Sequence, residues 1–145
     1  LEATKDTIDW QRGGNVNLGA VLLIAPLAAA GGSTLIEDER VNVEELREAL
    51  GGVILSTTPV DALAVYEAIR LAVPKRILGR VEELDALDDS TIGRIKRERL
   101  TLLEVFKRCA TRDSICNEWV SGFEGTFTIG YPYLKRALEA LGDIN

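Results

Sequence analysis

The sequence predicts an all-α fold, a compact multi-helix bundle around a buried central apolar helix. Three observations carry this prediction. Apolar residues recur at three- and four-residue spacing through most of the 145 residues. Helix-start signals, in which an amide, hydroxyl or carboxylate precedes such a run, repeat along the chain. No segment alternates polar and apolar residues for long, Gly125-Thr126-Phe127-Thr128-Ile129 being the nearest and too short to compete. Residues 1–145 are expected to form a single domain, a size that hides roughly 70% of the unfolded surface.

The elements follow in order. Residues 1–14 are polar and end in glycine, and the chain contains no methionine, so a piece of a longer polypeptide is expected. The central helix spans about 17–30: the run Val21 to Ala30 is wholly apolar, is interrupted by Pro26 and is closed by Gly31-Gly32. It falls short of the ~20 residues a bilayer demands. Residues 31–42 read as a loop. Asn42 is expected to cap a helix whose first turn carries Glu44 and Glu45 and which Gly51-Gly52 stop after Leu50. Thr58-Pro59-Val60-Asp61 places a capping hydroxyl, a proline at the first helical position and a carboxylate at the third. Ala62, Val65, Tyr66, Ile69, Ala72 and Val73 then line one face until Pro74.

A basic loop, Lys75-Arg76, meets either a phosphate or only solvent, and leads into the acidic stretch Glu82 to Asp89. Arg94 to Arg99 is a charged stretch. A helix from about Thr101 carries Leu102, Leu103, Phe106, Cys109 and Ala110 inward; continued in phase, it brings Cys116, Val120 and Asp113 onto the same stripe. Tyr131 to Leu141 forms a terminal helix. On one continuous helix Cys109 and Cys116 would stand about 10 Å apart along the axis, too far to bridge, so reduced core thiols are expected. With no leader in the first residues, a cytoplasmic location is the expectation.

Composition narrows the chemistry. A net charge of −6 argues against nucleic acid as the main partner, and no membrane partner is expected. Histidine is absent, which excludes His-dependent triads and the usual zinc ligands within this chain. Carboxylates and amides must carry the chemistry.

The most informative stretch is Asn15-Val16-Asn17-Leu18-Gly19-Ala20, where two amides and a glycine open the apolar helix. Backbone N–H donors and side-chain amides would converge there facing the core, as an anion or nucleotide demands; the same residues also serve simple capping. Asp113 with Arg112 is a second candidate, because a carboxylate turned inward needs a partner; otherwise Asp113 caps a helix from Ser114. Asp61 is explained by its helix start and is also a candidate ligand. Arg70 shares a patch with Tyr66, four residues earlier, and with Glu67 as an ion-pair partner. Glu82 and Asp85, with Glu83, either hold a metal or form a solvated face.

These segments, with Leu22-Leu23-Ile24-Ala25-Pro26-Leu27-Ala28, Thr58-x-x-Asp61-Ala62, Val65-Tyr66-x-Ala68-Ile69-Arg70-Leu71-Ala72-x-Pro74 and Arg112-Asp113-x-Ile115, resemble the archaeal branch of the triphosphoribosyl-dephospho-coenzyme A synthase family over most of residues 13–135. The resemblance implies an all-helical transferase. Such enzymes move a triphosphoribosyl group from ATP to the 2′-hydroxyl of 3′-dephospho-coenzyme A and release adenine, with Mg2+ as the natural counter-ion of the triphosphate. Asn15 matches the asparagine of the family's Gly-Val-Asn-Thr-His-Lys-Gly motif and Gly19 its last glycine. Val16, Asn17 and Leu18 depart from it, so an amide stands where the family has an imidazole. The family's N-terminal Lys-Pro-Gly-type loop is absent, so the chain is expected to be the C-terminal part of a longer family chain.

Three functions follow as expectations. The first is a nucleotide-dependent transferase in coenzyme biosynthesis, with Asp113 and Asn17 catalytic and Asn15, Gly19, Arg70, Arg112 and Asp61 binding. Its acceptor is dephospho-CoA or another nucleotide-like molecule. The second is a non-catalytic binding or assembly protein, with a homo-oligomer as a possible form. A metal-dependent hydrolase ranks last, because Glu44, Glu45 and Glu48 look exposed.

Overall fold

The computed structural model describes residues 1–10, 17–34, 36–37, 40–72, 84–86 and 88–142. The fold is all-α, as expected. In chain order the elements are α1 (Glu2–Trp10), α2 (Leu18–Gly31), α3 (Val43–Leu55), α4 (Pro59–Ala72), α5 (Asp89–Glu98), α6 (Leu102–Cys109), α7 (Ser114–Ser121), a π-helical turn (Thr126–Gly130) and α8 (Tyr131–Leu141). Between α2 and α3 two strands of two residues each, β1 (Ile36–Glu37) and β2 (Arg40–Val41), pair antiparallel with Ile36 opposite Val41, in a stretch read from sequence as a plain loop.

Local chemistry sets the helix starts. The Asn42 side chain accepts from the backbone N–H groups of Glu44 and Glu45. Thr58 donates from its backbone N–H and its hydroxyl to Oδ2 of Asp61, both at 2.7 Å. Thr101 and Glu104 form a complete capping box, which holds the Glu104 carboxyl below its usual range. Asp88 caps α5 by accepting from Ser90 N–H.

The core lies where α3, α4, α6 and α7 meet. Leu50, Ile54, Ala62, Tyr66, Ile95, Leu102, Phe106, Trp119 and Phe123 are buried there. Trp119 is the hub: its ring stands edge-on to Phe106 at 5.2 Å between centroids and tilts against Phe123 at 6.3 Å. Its indole N–H donates to the carbonyl of Leu22 at 3.0 Å. Four residues beyond Leu22 stands Pro26, inside α2 and without the N–H that would otherwise close that helical bond. The tryptophan therefore satisfies a carbonyl that the proline orphans.

The structure corrects several expectations. Helix α3 runs through Gly51 and Gly52 to Leu55; the ~1 kcal/mol that each glycine costs a helix is outweighed by the burial of Ile54 and packing of Val53. The charged stretch Arg94 to Arg99 is largely helix α5, whose Ile95 is fully buried. Helix α2 is apolar all round, yet it is not buried on every side: Leu18, Pro26 and Ala30 are buried whereas Ile24 is 62% exposed. It packs against α3, α7, α4 and α1 and leaves its remaining side to water.

The largest correction lies between α6 and α7. They are two helices, broken at residues 110–113, where the N–H groups of Arg112 and Asp113 both donate to the Cys109 carbonyl. The break brings the Cys109 and Cys116 α-carbons to 6.0 Å, and the two residues form a disulfide. The expected reduced thiols fall with the continuous helix. Asp113 and Val120 are exposed, not inward.

Candidate functional site

A cavity of about 300 Å³ opens between α2 and α4. Four alanines, Ala25 and Ala29 on α2 and Ala64 and Ala68 on α4, line it; methyl groups where larger side chains would interdigitate leave the space unfilled. Trp119 and Leu102 close it from α7 and α6, and Leu1 and Thr4 from the α1 end. Among the described residues, three polar side chains interrupt the apolar wall. Thr57 has its hydroxyl occupied, donating to Ile54 O at 2.9 Å and accepting from Leu103 N–H at 3.4 Å. Asp61 brings an exposed carboxylate. Thr4 is only 3% exposed, and among the described residues its hydroxyl has no hydrogen-bond partner. A buried hydroxyl without a partner calls for one from water or a ligand.

A second feature adjoins this cavity. A Cβ built on Gly19 would lie 2.8 Å from Cδ1 of Ile115, so the tip of that isoleucine packs directly against the glycine and brings α2 and α7 together here. Each of the two residues is second in its helix, and the contact sets the first turns of α2 and α7 against each other. Asn17 and Asp113, the residues immediately before those helices, therefore share one corner with Arg112. Two helix N-termini there present partial positive charge. Leu18 links the two features, because it follows Asn17 and lines the cavity.

The predicted residues are distributed as follows. Asn17 is exposed and its side chain makes no capping bond, whereas the expectation turned it toward the core; Leu18 takes the inward position instead. Asn15 and Glu82 lie outside the described residues. Asp113 caps α7, accepting from Cys116 N–H at 2.8 Å. Arg112 is exposed beside it. Asp61 both caps α4 and lines the cavity. Arg70 does not pair with Glu67: it donates to Asp89 Oδ1 at 3.0 Å, to Asp88 O and to Ala86 O, and so ties α4 to the segment before α5. Asp85 lies half-buried in that same segment, and neither Arg70 nor Asp85 lines the cavity.

Tyr66 reinforces that junction by donating to Leu84 O at 2.6 Å. Burial pushes its phenol from the ordinary 10 up to about 12, and the Asp85 charge adds to the effect. A folded-state value above the unfolded one stabilises fully below pH 10 and is lost as pH rises from 10 to 12. We expect about 2 kcal/mol to disappear over that window, after allowing for partial solvent screening. Urea melts at pH 9 and 11.5 check this, because Tyr66→Phe should abolish the tyrosine's share of the decline.

Sequence reasoning missed Thr4 and the four alanines. The alanines had a signal, since they recur at four-residue spacing on facing helices. Thr4 had none.

The whole chain, residues 1–145, matches the family model of CitG, described as ATP:dephospho-CoA triphosphoribosyl transferase. The chain belongs to the CitG family. No curated protein and no solved structure matches it. The CitG name implies a transferase of coenzyme biosynthesis acting on ATP and dephospho-CoA. Among the described residues, no single helix is long and apolar enough to cross a membrane. Nor do any three Asp, Glu, Cys or His side chains among them gather where a metal ion would sit. The described residues of this CitG-family chain thus offer no all-protein cage for Mg2+.

Proposed function

We propose that this CitG-family chain transfers the triphosphoribosyl group of magnesium-bound ATP to the 2′-hydroxyl of 3′-dephospho-CoA. The bond from ribose C1′ to adenine N9 breaks, the bond from C1′ to the acceptor oxygen forms, and adenine leaves with a proton. The observation that carries this reading is the Gly19–Ile115 contact, which unites the two family-like segments at one corner beside an apolar cavity. In this reading Arg112 and the N-terminal amides of α2 and α7 meet the triphosphate, Asn15 and Asn17 contact phosphate or ribose, and Gly19 permits the close approach. Asp113 takes the proton of the acceptor hydroxyl, while Asp61 lies at the cavity and Arg70 braces α4.

Adenine release from ATP and dephospho-CoA, followed by chromatography, tests it. Asp113→Asn still caps α7, and should lower the rate at least about 100-fold with the helix intact. If the chain releases no adenine, the proposal fails.

A second reading has its own observation. Leu18 lines the cavity at the position where the family motif has lysine, and Asn17 replaces its histidine. A non-catalytic binding or assembly protein would bind ATP without releasing adenine. A transferase with a different acceptor would release adenine only with that acceptor.

A further inference from the structure

We infer that the cavity between α2 and α4 receives an adenine ring while the phosphates of the same molecule stay outside it. This rests on the reading of ATP and dephospho-CoA, both adenine nucleotides, as substrates. Four features of the cavity point to the ring.

Its size comes first: about 300 Å³ is the lower end of ligand pockets, ample for one ring system. Its walls are mostly aliphatic, and the four alanines leave a slot between the two helices, which suits the apolar faces of a heteroaromatic ring. Charge is the third feature. Among the described residues no lysine or arginine lines the cavity, whereas the acidic Asp61 does, so these residues would leave a triphosphate inside unpaired and facing like charge. The fourth is Thr4, nine-tenths buried and more, whose hydroxyl lacks a partner among the described residues. A ring nitrogen of adenine accepts from such a hydroxyl. The indole N–H of Trp119 does not compete, because Leu22 O already holds it. A pantetheine arm fits less well: its two amides would need several buried partners, and beside the occupied Thr57 and the acidic Asp61 the described residues of the cavity offer one hydroxyl.

Adenine alone is the probe, titrated into the full chain and followed by calorimetry and by the tryptophan fluorescence, to which Trp10 and Trp119 both contribute. Adenine and adenosine should bind, and inorganic triphosphate should not displace them. Displacement by ATP or by dephospho-CoA tells which substrate supplies the ring. Thr4→Val, nearly isosteric, should weaken adenine about fivefold. Ala25→Leu, at an exposed position of α2, and Ala68→Leu, at a buried one of α4, should each fill the slot and weaken it at least tenfold. Circular dichroism identifies any variant that fails to fold, and Ala25→Leu, the least intrusive, then decides. No adenine binding at millimolar concentration, or binding indifferent to Thr4→Val and Ala25→Leu, overturns the inference. Adenine release from ATP without such binding removes this inference and leaves the proposed reaction standing. Slot-dependent adenine binding without any transfer does the reverse.

Discussion

Trp119→Ala is expected to lower the stability of this chain by about 4 kcal/mol, as for other large-to-small changes of buried aromatics. Two aromatic contacts and a hydrogen bond across 97 residues end in that one ring. The more informative variant is Trp119→Phe, which keeps an aromatic ring but removes the donor together with part of the ring volume, a loss common to both arms of the cycle below. With proline at 26, Leu22 O then has no N–H to accept from, and a buried unsatisfied carbonyl costs about 1–3 kcal/mol. Pro26→Ala restores a helical N–H in register with that carbonyl. In a chain that already carries Pro26→Ala, Trp119→Phe should therefore cost at least about 1 kcal/mol less than in the native chain. Urea denaturation of the four proteins in this cycle measures the difference. Equal costs in both chains would show that the proline and the tryptophan act independently.

The second large effect concerns the bridge between α6 and α7. Opening the Cys109–Cys116 disulfide removes a cross-link over a sequence separation of 7. The chain-entropy treatment assigns about 2.5 kcal/mol to a loop of this length. For a domain of this size that corresponds to a drop in melting temperature of roughly 5–10 °C. The paired variant Cys109→Ala with Cys116→Ala should reproduce what a reductant does to the native chain, and a reductant should leave the variant unchanged. Hydrogen exchange adds a local readout: the Cys116 amide, which donates to Asp113 Oδ1, should lose protection first. A melting temperature indifferent to reductant would refute the assigned contribution.

What could be read in the sequence was what is written locally. Helix α4 begins where Thr58-Pro59-Val60-Asp61 says it does, because a cap involves only neighbours within one turn. Asn42 caps α3 for the same reason. The break between α6 and α7 was legible only as the alternative in which Asp113 caps a helix from Ser114, since residues 110–113 include neither glycine nor proline and the apolar phase continues through them. Helix α5 was obscured by its charges, although Asp88, Ile92 and Ile95 held the signal. The extent of α3 depended on tertiary packing that outweighs two glycines. At the site, Gly19, Arg112 and Asp113 were singled out as residues to watch, but their proximity is a property of the α2–α7 approach, which periodicity cannot express. The inward orientation of Asp113 fell with the continuous helix on which it rested, whereas the alternative, a cap on a helix from Ser114, is what the structure shows. Thr4 was invisible because a threonine in a polar leading segment resembles any other.

One consequence follows from α8. Tyr131, Leu134, Leu138 and Leu141 lie at spacings of three, four and three along it, each between 42% and 68% exposed. A stripe of this kind on a folded chain binds environment-sensitive dyes before any heating. Dye-based thermal shift traces should therefore start from a bright baseline and understate the transition, whereas far-ultraviolet ellipticity will report the melt faithfully.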